Sequence, residues 1–131
     1  MRAALAFCVA VCAVASAQAQ AILAPPPSPR SSDRTTALAQ LAEIMGEAHY
    51  IRRLCYGRGD QRWRDQMMHF MDLEGPQGTP ERKAMSDGFN AGYRSQEERF
   101  PACSPEAQNY EASLNAKGAR LANAMAARYR D

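Results

Sequence analysis

The chain has no apolar run that would make a permanent membrane anchor. Its uncharged apolar segment, Ala3 to Ala17, is about 15 residues long, short of the roughly 18 to 20 that a spanning helix needs. It has no run of like charge either, so neither nucleic acid nor an anionic membrane surface is implied as a partner. Lysine is almost missing, with only Lys83 and Lys117, and the arginine that replaces it reads as genomic base composition. No stretch of period-two alternation is long enough to argue for a strand, and there is no internal repeat. Enzyme signatures are missing as well: there is no GxSxG elbow, HExxH pair, phosphate-cradling glycine loop or CxxC. A carboxylate pair for glycoside hydrolysis stays open, because it is defined by spatial separation.

What is present begins at the N-terminus. Arg2 precedes the apolar run, and small residues at alternating positions follow it, which is the pattern of a cleavable secretory signal peptide. Ala15-Ser16-Ala17, Ala17-Gln18-Ala19 and Ala19-Gln20-Ala21 all fit the cleavage motif. The middle one makes residues 1–19 the leader. Cys8 follows Phe7 and Cys12 follows Val11, so neither has the small preceding residue that lipoprotein processing requires. Arg2 leaves with the leader, and sixteen Lys plus Arg become fifteen against fourteen Asp plus Glu. The mature chain is therefore nearly neutral and keeps no stable membrane anchor.

Cleavage also removes Cys8 and Cys12 and leaves Cys55 and Cys103. Two cysteines in a short exported chain pair with each other in an oxidising compartment, leaving no thiol as a catalytic nucleophile. The expected location is the periplasm or the medium.

Residues 20–34 hold Pro25, Pro26, Pro27 and Pro29 and little apolar content after Leu23, which predicts a disordered Pro-rich tether. Residues 35–131 then divide at Gly and Pro into segments of helical length. The first, Thr35 to Cys55, places Leu38, Leu41, Ile44, Met45, Ala48, Ile51 and Cys55 on one stripe, with Ser32 or Asp33 as cap, and ends at Gly57. The second, Arg62 to Glu74, is capped by Asp60, aligns Trp63, Met67, Phe70 and Met71, and stops at Gly75-Pro76. The third starts at Thr79-Pro80 and aligns Met85, Phe89, Gly92, Tyr93, Gln96 and Phe100. The fourth starts at Ser104-Pro105 and aligns Ala107, Tyr110, Leu114, Gly118, Leu121 and Met125. Short connections favour antiparallel neighbours, predicting an all-α, up-down-up-down four-helix bundle. In that topology Cys55 and Cys103 fall at the same end, as a disulfide requires.

The words YIRRLCYG around Cys55, QRWRDQM around Trp63, FNAGYRS around Tyr93 and CSPEA after Cys103 resemble a family of small exported alphaproteobacterial proteins of unknown function. The resemblance covers about Ala37 to Met125. It implies export, a compact domain and a cysteine pair, and carries no activity with it.

Candidate sites come from polar residues on helical faces. Asp65, His69 and Asp72 share one face of the second segment, with Arg62 beside them. They are the residues to which a divalent metal would turn, although a solvated polar face is the simpler reading. Met67, Met68 and Met71 offer thioethers for Cu(I), but two of them fall on the core stripe, where packing explains them. Arg52 lies inside the apolar stripe of the first segment with His49 at its margin, and needs an ion-pair partner or an anionic ligand. Gly88 and Gly92, four apart, imply close approach of the first or fourth helix, while Asn90 and Arg94 form a polar contact face on another side. Trp63 and Gly92 are expected in the core. Together these features predict a periplasmic interaction module without cofactor or resident metal. Its expected partner is an envelope protein, which it would serve as accessory or regulator of a peptidoglycan enzyme. A metal or small-ligand binder, and then a small hydrolase, are the alternatives.

Overall fold

The structure, a computed structural model, describes residues 29–129. The leader, its cleavage positions, residues 20–28 of the expected tether and the last two residues lie outside the described part. Four helices fill it: α1 (Pro29–Tyr56), α2 (Arg62–Glu74), α3 (Pro80–Arg99) and α4 (Pro105–Tyr129). No strand is present among the described residues.

The boundaries follow local chemistry. Gly57, at φ +100°, takes the left-handed conformation that ends α1 without a Cβ penalty, and its N–H bonds the Arg53 carbonyl at 3.2 Å. Asp60 accepts from the Arg62 N–H at 3.2 Å and so satisfies one free donor at the start of α2. Thr79 accepts from the Arg82 N–H at 3.3 Å, Ser104 from the Ala107 N–H at 3.1 Å, and each is followed by a proline at the first helical position.

One boundary departs from expectation. Residues 29–34, assigned to the tether, are the opening turns of α1. Extending an existing helix adds one hydrogen bond per residue ordered, and nothing after Pro29 interrupts it. Tertiary contacts hold these turns: Arg34 pairs with Glu74 of α2 and Asp33 with Arg128 of α4 at 2.7 Å.

The packing is centred on α1. It lies against α3 along most of its length, then against α4, and less extensively against α2. α2 meets α3 only briefly, and α4 approaches neither α2 nor α3 along the backbone. Every residue from Ile44 to Ile51 is buried, so the middle of α1 is enclosed all round rather than along one stripe. Two core clusters flank it. One joins Ile44, Ala48, Tyr50 and Ile51 to Phe100, Ala107 and Leu114. The other joins Leu38, Ala42 and Met45 to Met67 and Met85, and Trp63 touches both.

Glycines set the α1–α3 distance. A Cβ at Gly92 would overlap the Glu43 carbonyl, with its carbon 2.9 Å away, and one at Gly88 would press on the Ala39 carbonyl, with its carbon at 3.2 Å. The close approach expected of this pair is therefore made with α1. Gly46 supplies the reciprocal contact from α1, since a Cβ there would overlap the Phe89 carbonyl, with its carbon at 2.8 Å. Cys55 and Cys103 are disulfide-bonded with Cα atoms 4.9 Å apart, tying the end of α1 to the residue before the α4 cap.

Candidate functional site

The enclosed middle of α1 brings polar groups into the core, and most are satisfied there. Glu47 accepts from Gln96 Nε2 at 3.0 Å and from the Tyr110 hydroxyl at 2.6 Å, joining α1, α3 and α4. Burial, followed by the bond to Glu47, raises the pKa of Tyr110. The Tyr50 hydroxyl donates to the Phe100 carbonyl at 2.6 Å, and burial raises its pKa too. Arg52, for which the sequence called for an ion-pair partner or an anionic ligand, is paired with Asp60 at 2.9 Å and Glu111 at 3.6 Å. Its guanidinium lies 4.0 Å from the Tyr56 ring centroid. The hydrogen bond from Arg52 lowers the Asp60 pKa. The sequence left the partner of Arg52 open, and the fold supplies two carboxylates.

His49 is 3% exposed and sits between the Phe89 and Tyr93 rings, with centroids at 5.6 and 5.7 Å. Its Nδ1 has no hydrogen-bond partner. Burial and then the Arg53 charge lower its pKa, against weaker opposition from Asp60 and Asp65, while Arg64 acts in the same direction as Arg53. The folded state thus resists a proton that the unfolded chain accepts at about pH 6.5. Stability should fall as pH drops below that value, by at most about 1.4 kcal/mol per pH unit. Urea unfolding at pH 7, 6 and 5 checks this: His49→Phe, filling the same aromatic slot, should flatten the dependence. An unchanged slope in the variant would assign it elsewhere.

The metal trio is not assembled. Asp65, His69 and Asp72 are all exposed, but Asp72 is bonded to Arg82 of α3 at 3.2 Å. Among the described residues no three His, Cys, Asp or Glu side chains are grouped to hold a metal. A shared helical face does not make side chains converge. Met67 is buried in the core and Met68 exposed, as helical spacing implied. Asn90 and Arg94 are exposed on α3.

The surface feature that the sequence did not reveal is a groove between α2 and α4. Its volume is about 760 Å³, and it is mostly apolar and open to solvent. Leu41, Ile44 and Met45 of α1 form the floor. Trp63, Gln66, His69, Phe70 and Leu73 form the α2 wall with Asp65 at the rim, and Leu114, Asn115, Gly118, Ala119 and Ala122 form the α4 wall. Trp63 is thus half-buried in a wall rather than enclosed as expected. Leu73 is 66% exposed. Two of the three proposed metal ligands, Asp65 and His69, belong to this groove, whereas Asp72 does not.

A family described as a protein of unknown function, DUF2385, matches residues 34–129. The chain belongs to DUF2385. The match runs from the second turn of α1 to the end of α4, so the α1-centred packing, the disulfide and the groove all lie inside the DUF2385 domain. No curated protein and no solved structure matches the chain.

Proposed function

We propose that this DUF2385 protein is an exported, periplasmic interaction module with up-down-up-down helices, which receives an apolar element of an envelope protein in the α2–α4 groove. In this reading it acts as accessory or regulator of a cell-envelope enzyme such as a peptidoglycan hydrolase. The groove is the observation that carries the reading. A monomer gains nothing by leaving Trp63, Phe70 and Leu73 lining an open apolar channel, and contiguous apolar surface of this kind marks interaction sites. The groups with shifted pKa, His49, Tyr50, Arg52, Asp60 and Tyr110, line no part of the groove. The disulfide is compatible with an oxidising compartment, and no described helix is long and apolar enough to cross a membrane. The volume also suits a small apolar ligand, since such sites run to about 300–1,000 Å³, and this is the second reading.

Affinity capture from envelope extracts with three forms of the protein tests it. Ala119→Arg and Ala122→Arg put charge on the α4 wall at exposed positions, whereas Arg94→Glu alters the polar face of α3. A partner recovered stoichiometrically by the parent and by Arg94→Glu, and lost from both alanine variants at unchanged melting temperature, is expected. A partner lost only from Arg94→Glu would move the interface to α3. Cell-wall hydrolysis by the protein alone would overturn the module reading.

A further inference from the structure

We propose that the occupant of the groove is an amphipathic α-helix of a partner protein that sets a lysine or arginine against Asp65. This rests on reading the groove as the binding site and adds its chemistry.

α2 and α4 both lie on α1 yet do not approach each other, and a channel flanked by two helices on the floor of a third is the space another helix fills. The walls differ. Trp63, Phe70 and Leu73 offer large apolar surfaces on α2, while Gly118, Ala119 and Ala122 on α4 are small enough for a backbone to come close. From Trp63 to Leu73 the α2 wall runs about 15 Å at the helical rise per residue, room for about three turns. An acyl chain would need no small-residue wall, and a bound small molecule is ordinarily enclosed over most of its surface, whereas this channel is open along one side.

Charge then narrows the partner. Asp65 is the only carboxylate in the lining, and no lysine or arginine accompanies it. Among the described residues it makes no salt bridge, although Asp60, Asp72 and Asp87 all do. An unpaired carboxylate at the rim of an apolar channel favours a cationic side chain and disfavours an anionic one. An acyl carboxylate entering here would meet like charge.

A display library of helical 18-residue peptides, randomised on one face and selected against the full disulfide-bonded chain, is the test. The selected sequences should share apolar positions at helical spacing and a Lys or Arg at one fixed place. A synthetic peptide of that consensus should change the emission of Trp63, the single tryptophan. Binding should weaken about threefold to fivefold with Asp65→Asn, the scale of one surface ion pair. Asp65→Lys should prefer the peptide whose basic residue is replaced by Glu.

Selected helices without a basic consensus, or with equal affinity for the Asp65→Asn protein, overturn the inference and leave the groove reading standing. So does saturable binding of laurate where no helix is selected, which identifies an acyl ligand. Self-association by sedimentation that Ala119→Arg abolishes would make the occupant a second copy instead. If peptides and laurate both fail to perturb Trp63, the groove reading falls as well.

Discussion

Gly46→Ala is expected to destabilise the protein by about 2–3 kcal/mol, although alanine improves intrinsic helix propensity by about 1 kcal/mol. The added Cβ would overlap the Phe89 carbonyl, and Phe89 Cα stands only 3.0 Å away. Both are backbone, so no rotamer change relieves the overlap and α1 must move off α3 along their shared length. Gly92→Ala meets the Glu43 carbonyl and the Glu47 N–H, the latter at 3.1 Å, and should behave alike. Gly118 is the contrast. Its Cβ would reach Ile44 Cγ2 at 3.4 Å and Leu41 Cδ1 at 3.8 Å, ordinary contacts with side chains, so Gly118→Ala should be neutral or stabilising. Chemical denaturation of the three variants decides the matter. A stabilised Gly46→Ala protein would mean that Phe89 of α3 does not approach α1 closely enough to exclude a Cβ.

Losing the disulfide should have the largest effect. The bond closes a loop spanning 48 positions, for which the chain-entropy model gives about 4 kcal/mol, a large share of the roughly 5–15 kcal/mol that holds a domain together. Cys55→Ser, Cys103→Ser and the double variant should lose similar amounts, and the chain without residues 1–19, which carry Cys8 and Cys12, should show no titratable thiol. The fold adds a local consequence. Because the α4 backbone lies close to α1 only and α4 meets α3 just at its end, through Arg99, removing its covalent tie should speed amide exchange in α4 before α3, and should loosen any ligand held by the α4 wall. Equal acceleration in all helices would show that the bond acts only on the unfolded chain.

Most of the helical organisation was legible in the sequence because it is written in local chemistry. Thr79-Pro80 and Ser104-Pro105 start helices, and Gly57 and Gly75 end them, through hydrogen bonds made within a few residues. The start of α1 was not legible, because its first turns are held by Glu74 and Arg128, distant in sequence and adjacent only after folding. The candidate sites divide in the same way. Asp65 and His69 were identifiable as an exposed polar pair, but the apolar wall beside them was not, since Trp63 and Phe70 give the same periodic signal whether they face a core or a groove. Glu47 carried a readable warning, a carboxylate within the apolar stretch of α1, yet its partners Gln96 and Tyr110 lie on two other helices.

By itself, then, the sequence determined the helical class, three of the four helix starts and the close approach at Gly88 and Gly92, which follow from short-range rules, and it pointed to the pairing of Cys55 with Cys103 through the expected loss of Cys8 and Cys12 with the leader. The tertiary structure decided that α1 is the hub, that Gly46 completes its contact with α3, that Arg52 is neutralised internally and that Asp72 is drawn away to Arg82. It also decided that a groove opens between α2 and α4. These depend on the distances between helix axes, which are set by the summed shapes of side chains far apart in the chain, and no periodicity within one helix encodes that sum.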